Sequence, residues 1–193
     1  MSKTLMVVLG FFGFLLILAI FVFGSFRSAQ NNLVAKDEAV KSAWSQVDIV
    51  LERRADLIPN LVETVKGFAK QETTVFGDIA NARAGLLSAH TPQQKIAANG
   101  TLDSAFGRLL ALQENYPQLK SNEQFLRLQD ELSGSENRIA VERRRYNEAL
   151  KDYNVYVRSF PTSIWAGMLG FQSRENDYFE ASAGARTVPN VKF

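Results

Sequence analysis

Residues 4–26 contain no charged side chain, and this run of 23 is mostly Leu, Ile, Val and Phe. A hydrocarbon core needs about 20 apolar residues to be crossed by a helix. Inside lipid every backbone N–H and C=O must be paired within the segment, so such a run can only be helical. A cleaved secretory leader would carry a shorter apolar core and a small-x-small ending. The run is longer than that, and Val22-Phe23-Gly24 is a poor cleavage site. A retained single-pass anchor is therefore expected over residues 1–27.

Lys3 and Arg27 bracket the run. Setting them aside leaves 20 basic residues against 20 acidic ones, so the net charge of +2 lies at the anchor and the remainder is neutral. A neutral domain offers no electrostatic footprint for nucleic acid. Orientation follows from Lys and Arg near the two ends of a span. Lys3 stands on one side and Arg27, Lys36 and Lys41 on the other. This bias predicts a single-pass membrane protein with its C-terminal domain in the cytoplasm. The alternative is the periplasmic or extracellular side.

Beyond the anchor the periodicity is helical. Leu33, Asp37, Val40, Trp44, Val47, Leu51, Arg54, Ile58, Leu61, Val65 and Phe68 follow the 3.5-residue coiled-coil spacing, with only Asp37 and Arg54 polar. The phase continues through Pro59, which predicts one helix over about 29–70, kinked near that proline. A shorter helix over 72–89 carries Val75, Ile79, Ala82 and Leu86. Another starts at Thr91-Pro92, a capping hydroxyl with proline in the first turn, and stops near Asn115. From Pro117 the heptad returns as Phe125, Leu132, Ile139, Tyr146, Tyr153 and Phe160, with Leu150 and Val157 at the second seam position.

The predicted fold class is all-α: a transmembrane helix, then a long antiparallel bundle of two long and two shorter helices over 28–161. An amphipathic interfacial segment over 162–172 and a polar, extended tail over 173–193 complete the division.

Three expectations follow from this geometry. Arg54 and Glu136 fall at the same height when the long helices pair, so they form a candidate register pair. Val34, Val40, Val47, Ile49, Val50, Leu126 and Val155 lie on or beside the seams and are the candidate self-association residues. Ile164, Trp165, Met168, Leu169 and Phe171 form a dense apolar group after Pro161, where the returning helix nears the bilayer, and are expected at the membrane interface.

Chemistry finds no foothold in this sequence. One histidine, His90, and no cysteine exclude zinc or iron sites of the usual kind. His90 sits at a helix end, where a cation suits the dipole. There is no alternating acidic calcium loop, no phosphate-cradling glycine loop and no dinucleotide fingerprint. Arg143-Arg144-Arg145 and Arg53-Arg54 have acidic neighbours and read as solvated faces. No cofactor, metal or enzymatic activity is expected.

The residues resemble the LemA family of bacterial membrane proteins. The resemblance rests on Ala43-Trp44-Ser45-Gln46-Val47-Asp48 and on Arg53-Arg54-Ala55-Asp56-Leu57-Ile58-Pro59-Asn60-Leu61-Val62. It continues in Glu136-Asn137-Arg138-Ile139-Ala140, Arg143, Tyr146-Asn147, Tyr153-Asn154, Phe160-Pro161 and Tyr178-Phe179, and then in Pro189, Val191 and Phe193. Gln30 departs from it, since the family tends to have tyrosine there. The resemblance implies one span followed by a helical bundle, at the bacterial envelope or internal membranes, and supplies no activity. The function expected is a non-enzymatic scaffold that self-associates at the membrane, organising or shaping the bilayer. Its partners would be membrane lipid and further copies of the chain. The alternative is an adaptor that presents its distal helical tip to an envelope protein or membrane protease.

Overall fold

The computed structural model describes residues 3–179, and of residues 3–5 and 7 the backbone only. The expected tail beyond residue 179, with Pro189, Val191 and Phe193, lies outside the described residues. Among the described residues there are six α-helices, one 3₁₀ turn and no strand. The helices are α1 (Lys3–Lys66), α2 (Thr73–Ser88), α3 (Pro92–Asn115), α4 (Pro117–Lys120), α5 (Glu123–Arg158) and α6 (Thr162–Leu169).

The all-α class stands, but several helix boundaries differ from the sequence reading. First, the apolar run and the first heptad helix are one uninterrupted helix, because nothing between Ser25 and Leu33 is a helix breaker. That helix stops at Lys66 rather than near residue 70. There the turn tightens, with the Phe68 N–H on the Val65 carbonyl at 3.0 Å. Second, the segment from Pro117 breaks into α4 and α5. Asn122 Oδ1 accepts the Phe125 N–H at 2.9 Å and so starts α5 afresh. Third, α5 ends at Arg158, two residues short of the last expected seam residue. Phe160, placed on the seam by its spacing, is 83% exposed in the turn that follows. The Phe160–Pro161 peptide is cis.

The chain divides into two compact units, Met1–Lys41 with Glu148–Asn176, and Ser42–Asn147 with Asp177–Phe193. In the second unit, Val47, Leu51, Ala55, Ile58, Leu61 and Val65 of α1 are buried. So are Ile79 and Leu86 of α2, Leu102 and Leu109 of α3, and Phe125, Leu132, Ile139 and Tyr146 of α5. Trp44 meets Tyr146, and Arg54 meets Glu136, so α1 and α5 run antiparallel here. In the first unit Leu33 and Val40 of α1 are buried, with Leu150, Tyr153 and Val157 of α5. Each fully buried aliphatic side chain contributes about 1.5–3 kcal/mol by leaving water.

Pro59 lies inside α1 and interrupts no part of it. Proline has no N–H, so the carbonyl four residues back, that of Ala55, loses its helical donor. Arg83 of α2 supplies another: its Nε donates to the Ala55 carbonyl at 2.8 Å. Ala55 is fully buried, so without that bond its carbonyl would be short of a partner. Removing Arg83 should cost about 1–3 kcal/mol, the usual penalty for an orphaned buried acceptor. In a Pro59→Ala background, where the helix regains its own donor, Arg83→Ala should cost distinctly less. Denaturant titration of the four proteins of this cycle measures the difference; equal costs in both backgrounds would contradict it.

The helical hairpin of α2 and α3 is set by its termini. Thr91 Oγ1 accepts the Gln94 N–H at 3.2 Å, and Gln94 Oε1 accepts the Thr91 N–H at 3.2 Å, a reciprocal capping box. The His90 N–H also donates to Gln94 Oε1, at 3.0 Å.

Candidate functional site

Three constellations carry polar or exposed apolar groups that the packing of α-helices alone does not require. The first surrounds Arg54, whose side chain is 6% exposed. Its Nη1 lies 2.6 Å from Asp103 Oδ1 of α3 and 2.8 Å from Glu136 Oε2 of α5. The same nitrogen donates to Asn99 Oδ1 at 3.0 Å, and Asn99 Nδ2 donates to Asp103 Oδ2 at 3.1 Å. Nη1 has two hydrogens and faces three oxygens. Its hydrogen bond goes to Asn99 Oδ1, and the buried Glu136 Oε2 accepts none. The structure thus brings Arg54 and Glu136 into contact and adds Asp103 and Asn99, which no heptad pattern marks. A cleft of about 480 Å³, lined by Phe106, Gly107, Leu132 and Asn137, opens beside this cluster.

The second constellation holds the C-terminal segment. In the unit containing Trp44, the ring of Phe179 stacks on Trp44 at 5.9 Å and meets Tyr146 edge-on at 5.6 Å. The Arg143 guanidinium lies over the same ring at 4.6 Å. Asn147 clamps the backbone of the same residue: its Nδ2 donates to the Phe179 carbonyl at 2.9 Å, and its Oδ1 accepts the Phe179 N–H at 3.0 Å. Arg143 is therefore no solvated-face residue. Arg144 is exposed, and Arg145 pairs with Glu142 at 2.8 Å. Arg53 is likewise exposed, whereas Arg54 is buried.

In the other unit Asn154 repeats the device on Arg174. Its Nδ2 donates to the Arg174 carbonyl at 3.3 Å, and its Oδ1 accepts the Arg174 N–H at 2.8 Å. The Tyr153 hydroxyl donates to the Gln172 carbonyl at 2.9 Å. The Arg174 guanidinium pairs with Asp37 and sits 5.0 Å from the Tyr153 ring centre. Asp37, the second polar seam residue of α1, also meets Lys41 at 2.9 Å.

Burial, with the charge of Asp37 nearby, raises the Tyr153 phenol above its ordinary 10.0, despite the opposing pull of the Arg174 charge. A raised pKa means the folded state holds the proton more tightly. The stabilisation is therefore complete below pH 10 and is lost as pH rises through the raised value. Ultraviolet titration of tyrosinate should show a late-ionising phenol that Tyr153→Phe removes. Residues 172–174 should exchange faster only at that alkaline step; release near neutral pH would refute the assignment.

The third constellation lies in the same unit, where the uncharged part of α1 ends. Trp165 of α6 donates from Nε1 to Ser25 Oγ at 3.3 Å and meets Phe26 edge-on at 5.5 Å. The Arg27 guanidinium lies over the Phe23 ring at 5.9 Å. Within α6, Thr162 and Ala166 are buried, while Ile164 and Met168 are 53% and 72% exposed. Gly170 ends the helix at φ +80°, and the Phe171 N–H returns to the Ala166 carbonyl at 2.9 Å. Of the five expected interface residues, Ile164 and Met168 are open. Trp165, Leu169 and Phe171 are half-buried.

The seven expected self-association residues also divide. Val34, Ile49, Leu126 and Val155 are exposed and Val50 is half-buried, but Val40 and Val47 are buried in the chain's own packing. A seam residue cannot face its own core and a neighbouring molecule together, so those two are withdrawn from the set. Among the described residues no group of three or more His, Asp or Glu side chains converges as metal ligands. α1 is long and apolar enough at its N-terminal part to cross a membrane.

An all-helical chain with one apolar helix of membrane-spanning length and aromatic-and-asparagine clamps on its C-terminal segment defines a class of membrane-associated helical proteins. Residues 43–193 match the LemA family, and the chain belongs to that family. It is 25% identical to magnetosome protein MamQ 2 of Paramagnetospirillum magneticum, over 81% of this chain and 66% of the relative. It is 24% identical to magnetosome protein MamQ of Magnetospirillum gryphiswaldense, over 80% and 66%. With protein LemA of Metamycoplasma hominis it shares 24% identity over 81% and 71%. The chain thus spans 66% of the length of the magnetosome relatives. None of these names denotes an enzyme.

Proposed function

We propose that this protein is a non-enzymatic, membrane-anchored helical scaffold that self-associates at the bacterial plasma membrane and organises or shapes the bilayer. Its domain lies on the cytoplasmic side. The observation that carries the reading is the set of exposed aliphatic side chains beside otherwise well-buried seams. Val34 and Val155 belong to one unit, Ile49 and Leu126 to the other, and each is 43–57% exposed. Single exposed apolar residues are ordinary on a protein surface. Four of them flanking two heptad helices mark faces that further copies of the chain would cover. Similarity to proteins named for the magnetosome supports a role at a membrane.

The test uses the absence of cysteine from the chain. Single cysteines at Val34 or Val155 in the membrane-embedded protein should crosslink into dimers or ladders, while cysteine at the buried Val47 should not. Monomer at every position would overturn the scaffold reading. It would favour the adaptor, for which the cleft beside Arg54, Phe106 and Leu132 is the supporting observation.

A further inference from the structure

Residues 159–173 form a second stretch without charge, fifteen residues long and flanked by Arg158 and Arg174. A segment that attracts anionic lipid keeps its cations free for headgroups. Here Arg158 is paired with Glu175 at 2.5 Å, and Arg174 is paired with Asp37. The polar side chains of the stretch are Ser159, Thr162, Ser163, Gln172 and Ser173, all neutral.

One side of this segment is already occupied. Thr162 and Ala166 are buried, and Trp165 is tied to Ser25 and Phe26 at the end of the apolar part of α1. The other side presents Phe160, Ile164 and Met168, the first and last of them among the most exposed apolar side chains described. The contact with Ser25 fixes their level: it is the last turn before Arg27, where an apolar span gives way to the headgroups.

We infer that Phe160, Ile164 and Met168 insert into the acyl–headgroup boundary of the leaflet in which the N-terminal span ends, and that this insertion does not depend on anionic lipid. The inference rests on the reading of residues 4–26 as a span. Trp165 is then the tether that holds α6 at the interface rather than the group that enters it. The lipid-facing set therefore differs from the five residues that the apolar cluster alone singles out. The occupant is the bilayer because the stripe is continuous in level with the span. An uncharged polar face makes apolar burial, not Coulomb attraction, the driving term.

Nitroxide labels on single cysteines in the full-length protein test this. The variants are Met168→Cys in the stripe, Ser163→Cys on the exposed polar side, and Ile17→Cys within the span. Each is reconstituted in phosphatidylcholine vesicles, and again in phosphatidylcholine mixed with phosphatidylglycerol. The ratio of oxygen to nickel-chelate accessibility should be several-fold higher at 168 than at 163, and unchanged by the anionic lipid. A label at 168 that meets nickel freely, with 17 shielded from it, overturns the inference and leaves the span intact. Nickel access at 17 removes the span and the inference together. Insertion only with phosphatidylglycerol, or spin–spin broadening at 168 between copies, also overturns it. The first would make charge the driving term; the second would make another copy the cover. Met168 is 72% exposed, so its replacement leaves the fold intact.

Discussion

Tyr146→Ala is expected to destabilise the protein by about 3–5 kcal/mol, the range for truncating a buried aromatic side chain. Tyr146 is 2% exposed, and its ring meets both Trp44 and Phe179 edge-on. The substitution therefore opens a cavity and removes one wall of the box that holds Phe179. Two observables should move together. Global unfolding in denaturant should shift by that amount, and the Phe179 amide, bonded to Asn147 Oδ1 in the native protein, should exchange faster. Asn147→Ala separates the contributions. It removes the backbone clamp without the ring, so it should speed exchange at Phe179 with a cost of about 1–3 kcal/mol, two ordinary hydrogen bonds. Unchanged protection of Phe179 in Tyr146→Ala would show that the aromatic box does not hold the segment.

Neutralising both carboxylates around Arg54 should be as damaging. Asp103→Asn with Glu136→Gln leaves a guanidinium 6% exposed with only neutral partners. A stranded buried charge typically costs about 3–5 kcal/mol. Each single replacement should cost far less than half of that, because the remaining carboxylate still neutralises the arginine. Asp103→Asn should be the worse of the two, since Asp103 lies nearer and is also held by Asn99, whereas Glu136 Oε2 accepts no hydrogen bond. The reverse change, Arg54→Met, should be milder than the double neutralisation. Asp103 and Glu136 are 42% and 46% exposed and can return to water. Thermal unfolding of the five proteins gives this order; a double neutralisation no worse than the sum of its singles would refute the shared-cation account.

The register of the second unit is legible in the sequence. Arg54 and Glu136 occupy seam positions at the same height of two antiparallel heptad helices, and they meet. The same spacing misplaced Phe160, because a period says nothing about where a helix stops. It also left Val40 and Val47 in two roles at once, as core and as surface. Their burial settles the matter in favour of the core.

Sequence by itself determined the uncharged span, the all-helical class and the buried seams. Apolar residues recurring every three or four positions must turn one face away from water, wherever the partner comes from. Only the tertiary structure decided which groups stand opposite those faces. Asp103 beneath Arg54, Arg174 beside Asp37, Arg83 on the carbonyl that Pro59 leaves open and Asn147 around the backbone of Phe179 are all such choices. These contacts join residues 28 to 137 positions apart and involve single side chains or main-chain atoms. Such contacts repeat with no period, so no pattern along the chain announces them.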